Sequence, residues 1–128
     1  MLDTDVCIEI LRGNPSVLEA RRHTPDRVGT TRVTACELSY GAANSRDPEG
    51  NQRLVNDLLA SLPILGLDLT ASQLYGTHKA RLRRAGKVPA DADLIIAAIT
   101  LAQGATLVTG NRRHFDPIEG LRMEDLIR

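Results

Sequence analysis

Short apolar runs alternate along the chain with longer stretches of helical periodicity. Leu2 reads as the end of a strand, and residues 4–12 (TDVCIEILR) read as a helix stopped by Gly13. Asn14 and Pro15 restart a helix that runs to about Thr24, with Asn14 as N-cap and Pro15 in the first position. Residues 27–31 predict a short strand, and Thr34 opens a third helix, ACELSYGAA. Pro48 opens a fourth, in which Leu54, Val55, Leu58, Leu59 and Leu62 share one face. Pro63 ends it, and ILGL is a short strand. Residues 70–85 predict a helix with a basic outer face, ended by Gly86. Residues 91–103 predict a nearly all-apolar helix closed by Gly104, followed by the β-rich strand ATLVT. The tail IEGLRMEDLI has room for one last short strand.

Helix–strand alternation with short links predicts an α/β fold: a central, mostly parallel sheet flanked by helices in three layers, α/β/α. The 128 residues are expected to form one domain, 1–128. A chain of this length buries roughly two-thirds of its unfolded surface, so it needs no disulfide framework. In such sheets the C-terminal strand ends gather polar groups at one edge, where ligands bind. That edge is where chemistry is expected.

Composition narrows the options. The 42% hydrophobic and 25% charged content is ordinary for a globular domain. No apolar run reaches the roughly 18–20 residues of a membrane span, and no signal-peptide pattern opens the chain. Cys7 and Cys36 form no C-x-x-C pair, so the expectation is a reducing cytoplasm. Sixteen basic residues balance sixteen acidic ones, so no overall basic footprint marks a nucleic-acid binder. With only Tyr40, Tyr75 and Phe115 as aromatics, a base-stacking platform is disfavoured.

The acids and amides at strand ends and helix starts are the candidate chemistry. Asp3 follows the first apolar residue, with Thr4 and Asp5 beside it; N-capping is the competing use. Thr34-x-x-Glu37 is a capping-box pattern, and from spacing alone capping outweighs function. Asp91 and Asp93 precede the apolar helix; one of them is expected to cap it. Asn111 and Arg112 follow ATLVT, where a turn is the ordinary use. Oxygen ligands that converge on one edge suit Mg²⁺, which often takes only one or two carboxylates directly. The lack of a His or Cys cluster disfavours zinc.

Taken together, L-D-T-D-V, V-T-A-C-E-L-S-Y-G-A, D-L-I-I-A-A, A-T-L-V-T-G-N-R-R-H-F and the closing E-G-L-R resemble the PIN-domain ribonucleases, most closely the VapC-type toxins of toxin–antitoxin pairs. The resemblance covers essentially the whole chain in order. It implies a metal-dependent endoribonuclease that uses Mg²⁺ or Mn²⁺. Asp3, Glu37 and Asp93 match the metal-binding, catalytic acids, and Asn111 matches a fourth, weaker position that acts through water. Thr4, Asp5 and Thr109 match supporting positions, and Asp91 an accessory or capping one. The amide at Asn111 removes a negative charge and weakens the case for a second ion. His114 stands where an acid is common, with Asp116 nearby. Only two residues precede Asp3, fewer than a strand usually supplies, so a weak first strand or a longer natural start is expected.

The resemblance also implies RNA as substrate, a cognate VapB-type antitoxin, a homodimer and a toxin–antitoxin hetero-oligomer. Residues 52–62 and the Leu38–Tyr40 region are candidate contact surfaces, with core packing as the commoner use. Lys79, Arg81, Arg83, Arg84 and Lys87 lie in a stretch with no acid, and Arg112 and Arg113 follow the last strand, so a neutral chain can still hold a basic rim. Of these, Lys79, Arg81, Arg84, Lys87, Arg112 and Arg113 are the RNA-contact candidates. A solvated helix face is the alternative for residues 79–87. Two rival readings remain. A HAD-type phosphatase shares D-x-D but leaves Glu37 idle, and a non-catalytic PIN-like binding module usually loses acids that are present here.

Overall fold

The structure, a computed structural model, describes residues 1–23 and 27–125. Seven helices and four short strands are assigned among the described residues. In chain order they are α1 (Thr4–Leu11), α2 (Pro15–Arg22), β1 (Thr30–Thr31), α3 (Arg32–Ala43), α4 (Pro48–Ala60), β2 (Ile64–Leu65), α5 (Leu69–Arg84), α6 (Asp91–Ala102), β3 (Thr106–Val108), α7 (Arg112–Phe115) and β4 (Arg122–Glu124). The expected end of α2 at Thr24, and Leu126 and Ile127 of the tail, lie outside the described residues.

The strands pair in parallel, β1 with β2 and β3 with β4. Residues 1–3 join the two pairs. Leu2 N–H donates to Gly29 O, Val108 N–H to Met1 O and Asp3 N–H to Val108 O, at 2.8, 2.7 and 2.9 Å. This opening segment makes a single parallel bridge, Leu2 to Val108, so the first strand is as short as its two leading residues imply. It nevertheless sits in the middle of the sheet and brings Asp3 to the C-terminal edge.

Alternation along the strands builds the three layers. Leu2 and Val108 face a core with α1, α2, α3 and α4 side chains such as Val6, Val17, Leu38 and Val55. Met1 and Leu107, one residue over, face the opposite core with Leu82, Ile96, Ile99 and Phe115. Period-two alternation therefore places one helical layer on each face. Residues 94 and 96–100 are all buried, which is why α6 shows no amphipathic pattern.

Several local expectations are corrected. The strands are shorter than 27–31, ILGL and ATLVT implied, since pairing is confined to the last two residues of the first run, the first two of the second and the middle three of the third. Helix α3 begins at Arg32 rather than Thr34, because extended Thr31 is the N-cap and its Oγ1 accepts from Thr34 N–H. Glu37 is accordingly a second-turn residue and not a capping-box partner. Neither Asp91 nor Asp93 caps α6: the N-cap is Ala90, without a side-chain bond, and both acids lie within the first turn. On α4, Leu54 departs from the expected face and is 52% exposed, whereas Val55 and Leu62 are buried.

Candidate active site

The edge formed by Asp3, the start of α1 and the loop after β3 is tied by carboxylate hydrogen bonds. Asp3 is 4% exposed. Its Oδ1 accepts from Thr4 N–H and its Oδ2 from Thr109 Oγ1, both at 2.8 Å. Thr109 Oγ1 in turn accepts from Asn111 N–H at 2.9 Å. Asp5 fixes the same loop: Oδ1 accepts from Val6 N–H and Oδ2 from Gly110 N–H. Asp3 thus caps α1, and capping and a place in the acidic centre coexist in one side chain.

Glu37 arrives from α3. Thr4 Oγ1 donates to Glu37 Oε1 at 2.7 Å and lies 3.0 Å from Thr34 Oγ1, which is 3.4 Å from Thr31 Oγ1. A hydroxyl has one proton to give. With Thr4 donating to Glu37, the direction of the chain is set: Thr31 to Thr34 to Thr4 to Glu37. Thr31 and Thr34 are fully buried, and their part in the site was not legible from the acids. The Thr31-x-x-Thr34 spacing was the available signal.

Asp93 arrives from the first turn of α6. His114 Nδ1 lies 3.6 Å from Asp93 Oδ2. Burial raises the Asp93 carboxyl above its usual range; nearby His114 opposes this, and the charges of Glu37 and Asp5 add to it. Burial likewise pushes Asp3 up to about 6, against the hydrogen bonds from Thr109 and Thr4 and with the charges of Asp5 and Asp93. Asp5 is also raised, first by burial. Asp3, Asp5, Glu37 and Asp93 therefore share one electrostatic neighbourhood. Asp91 faces the other way and accepts from Tyr75 and Lys79 of α5.

Asn111 is the N-cap position of α7, and its side-chain amide makes no capping bond. A cleft of about 490 Å³ opens there, lined by Gly110, Asn111, Arg112, Arg113, His114 and Asp125. Asp116 closes α7 and is exposed. Of the basic candidates, Lys79 pairs with Asp91 at 3.0 Å and Arg81 with Glu119 at 2.6 Å. Arg84, Lys87, Arg112 and Arg113 are exposed and form no ion pair among the described residues. Cys7 is buried with its thiol held up at about 11, which removes it as a nucleophile.

The donor set suits a hard divalent cation. All the acids are oxygen ligands, and their mutual repulsion is what a cation relieves. Among the described residues no three His, Cys, Asp or Glu side chains close into a ready metal cage.

The PIN domain family model matches residues 1–120. The chain belongs to the PIN-domain family. Among curated PIN-domain relatives, the tRNA(fMet)-specific endonuclease VapC of Shigella flexneri is 34% identical over 126 residues, covering 98% of this chain and 96% of that protein. Ribonuclease VapC2 of Haemophilus influenzae is 32% identical, with 99% and 97% covered. The PIN fold here also superposes on solved complexes. DNA-bound VapBC from Salmonella typhimurium gives a TM-score of 0.92 at 34% identity, covering 98% of this chain and 96% of that one. VapBC2 from Rickettsia felis, bound to a promoter DNA fragment, gives 0.91 at 27% identity over the same shares.

Proposed function

We propose that this PIN domain is a Mg²⁺- or Mn²⁺-dependent endoribonuclease, the toxin of a toxin–antitoxin pair, acting in the cytoplasm as a homodimer and held inactive by a cognate VapB-type antitoxin. The observation that carries the reading is the buried Asp3 at the sheet edge, with Asp93 and Glu37 brought to it by two other helices. Asp3, Glu37 and Asp93 hold the ion directly or through water, and Asn111 acts as a weaker, water-mediated ligand. When bound, the ion supplies an activated water and stabilises charge on the scissile phosphate. Thr109 keeps Asp3 oriented, and the threonine chain ending at Thr4 keeps Glu37 oriented. Asp5 holds the Gly110 loop so that Arg112 and Arg113 stand beside the acids, placed to bind the phosphates that flank the cut.

The antitoxin has a suitable groove. A cleft of about 350 Å³ is lined by Ile8, Leu11, Leu38, Ala42, Leu54 and Val55, with Glu37 on its wall. An amphipathic segment laid there buries the exposed Leu54 and brings a basic side chain to the acids. The relatives' names make initiator tRNA the first substrate to test.

The experiment is incubation of the antitoxin-free protein with initiator tRNA and total RNA under Mg²⁺, Mn²⁺, Ca²⁺ or chelator, with cut sites mapped. Discrete cuts that need Mg²⁺ or Mn²⁺ and stop when the antitoxin is added back support the reading. RNA retention without cuts under every cation favours the binding-module alternative.

A further inference from the structure

We infer that Tyr75, Lys79 and Asp91 form a clamp that sets the first turn of α6 and thereby the aim of Asp93; the inference rests on the reading of Asp93 as a metal ligand. Asp91 and Asp93 stand two residues apart on α6, roughly 200° around the axis, so they face opposite sides. Asp93 turns toward Asp3, Asp5 and Glu37, whereas Asp91 turns toward α5. There Asp91 Oδ1 accepts from Tyr75 Oη at 2.8 Å and from Lys79 Nζ at 3.0 Å. Lys79 Nζ also donates to Tyr75 Oη at 2.9 Å and lies 5.2 Å from the centre of its ring. The three groups close a triangle in which each touches both others.

Leu94 anchors the far end of this turn in the core, but the residues ahead of it have little else to fix them. The N-cap of α6 is Ala90, which offers no side-chain acceptor. The link before it, Ala85 to Ala90, is exposed apart from Pro89. The first helical bond, Leu94 N–H to Ala90 O, restrains the turn internally but does not orient it against α5. An unrestrained first turn would fray, as uncapped helix starts do. Asp93 is in that turn, and a metal ligand that frays costs affinity for the ion. The clamp supplies from α5 what a cap would supply from within, and adds direction. Lys79 is thereby committed to Asp91 and withdrawn from the basic rim. Tyr75, Lys79 and Asp91 are positioning residues that act through Asp93.

The test uses the whole chain with Tyr75→Phe, Lys79→Met, Asp91→Ala and the double variant Lys79→Met/Asp91→Ala. Two quantities are read without RNA: Mn²⁺ affinity by calorimetry, and hydrogen exchange in metal-free protein at the Leu94 amide, the first in α6 to make a helical bond. Cleavage then gives the metal concentration for half-activity and the KM for RNA. The expected result is a three- to tenfold loss of Mn²⁺ affinity in each single variant, faster exchange at that amide and an unchanged KM for RNA. The double variant should be no worse than the poorer single, because the two residues act through one contact. Mn²⁺ affinity and exchange equal to wild type in all variants overturn the inference. So do effects that add in the double variant and appear in the KM for RNA, which would make Lys79 a phosphate contact. A wild-type chain that takes up no Mn²⁺ overturns the metal reading of Asp93 and the inference with it. Wild-type uptake matched by every variant overturns the inference alone.

Discussion

Burial sets the behaviour of Asp3, and its hydrogen bonds only partly offset it. In metal-free protein its carboxyl rises from 3.8 to about 6. Between those values the folded chain binds more protons than the unfolded one, so stability falls as pH rises through 6. A shift of that size corresponds to at most about 3 kcal/mol. Unfolding in urea across pH 4–7 should show this decline in wild type and a flatter profile in Asp3→Asn. Millimolar Mg²⁺ or Mn²⁺ should restore the wild-type stability near neutral pH. At the same scale, Thr4→Val leaves Glu37 without its donor. Loss of an outer hydrogen bond at a metal site costs about 10- to 100-fold in affinity or activity. Initial rates at saturating RNA should drop within that range while the fold is kept. The acids themselves were readable from the chain. The threonine chain was not, because hydroxyls from Thr4, Thr31 and Thr34 meet only when α1 and α3 pack.

Helix starts were the least readable elements, because several oxygen-bearing side chains competed for the same cap. At α3 the winner is Thr31, which is extended and whose Oγ1 meets Thr34 N–H at 3.1 Å. Thr31→Ala is expected to cost about 1 kcal/mol of stability, or somewhat more since the site is buried. Glu37→Gln should cost nothing comparable, whereas a capping-box Glu would share in the loss. Thermal unfolding of the two variants side by side separates these roles. At α6 neither acid caps, because Asp91 is drawn to Tyr75 and Lys79 and Asp93 faces the other acids. Their spacing of two already placed them on opposite sides, and only the packing of α5 decides which side is which. The helices themselves were legible, as proline and glycine bound them: Pro15, Pro48, Gly13, Gly86 and Gly104 stand at or beside their ends.

At the scale of the molecule, a formal net charge of zero conceals a division of labour. Acids collect at the sheet edge, while Arg84, Lys87, Arg112 and Arg113 stand exposed without ion-pair partners among the described residues. Neutralising any of these four is expected to lower the salt dependence of RNA binding by about 0.7 in log–log slope. Arg81→Gln should change the slope less, because Glu119 already pairs with that side chain. Filter binding from low to physiological salt, with Ca²⁺ to block cleavage, measures both. The layered α/β plan was legible because apolar period separated helices from strands. The shortness of the strands was not, since a run such as ATLVT shows its burial and not how many of its amides find a partner. The central claim is that Asp3, Glu37 and Asp93 make this PIN domain a metal-dependent ribonuclease. The most direct measurement is Mg²⁺-dependent cleavage of initiator tRNA by antitoxin-free wild type and by Asp93→Asn, with folding and RNA affinity checked on both. The account predicts specific cuts by wild type that vanish with chelator, and at least a hundredfold loss in Asp93→Asn at unchanged RNA affinity (about 3 kcal/mol in the barrier). Equal cleavage by the two proteins, or cleavage by wild type that survives the chelator, would contradict it.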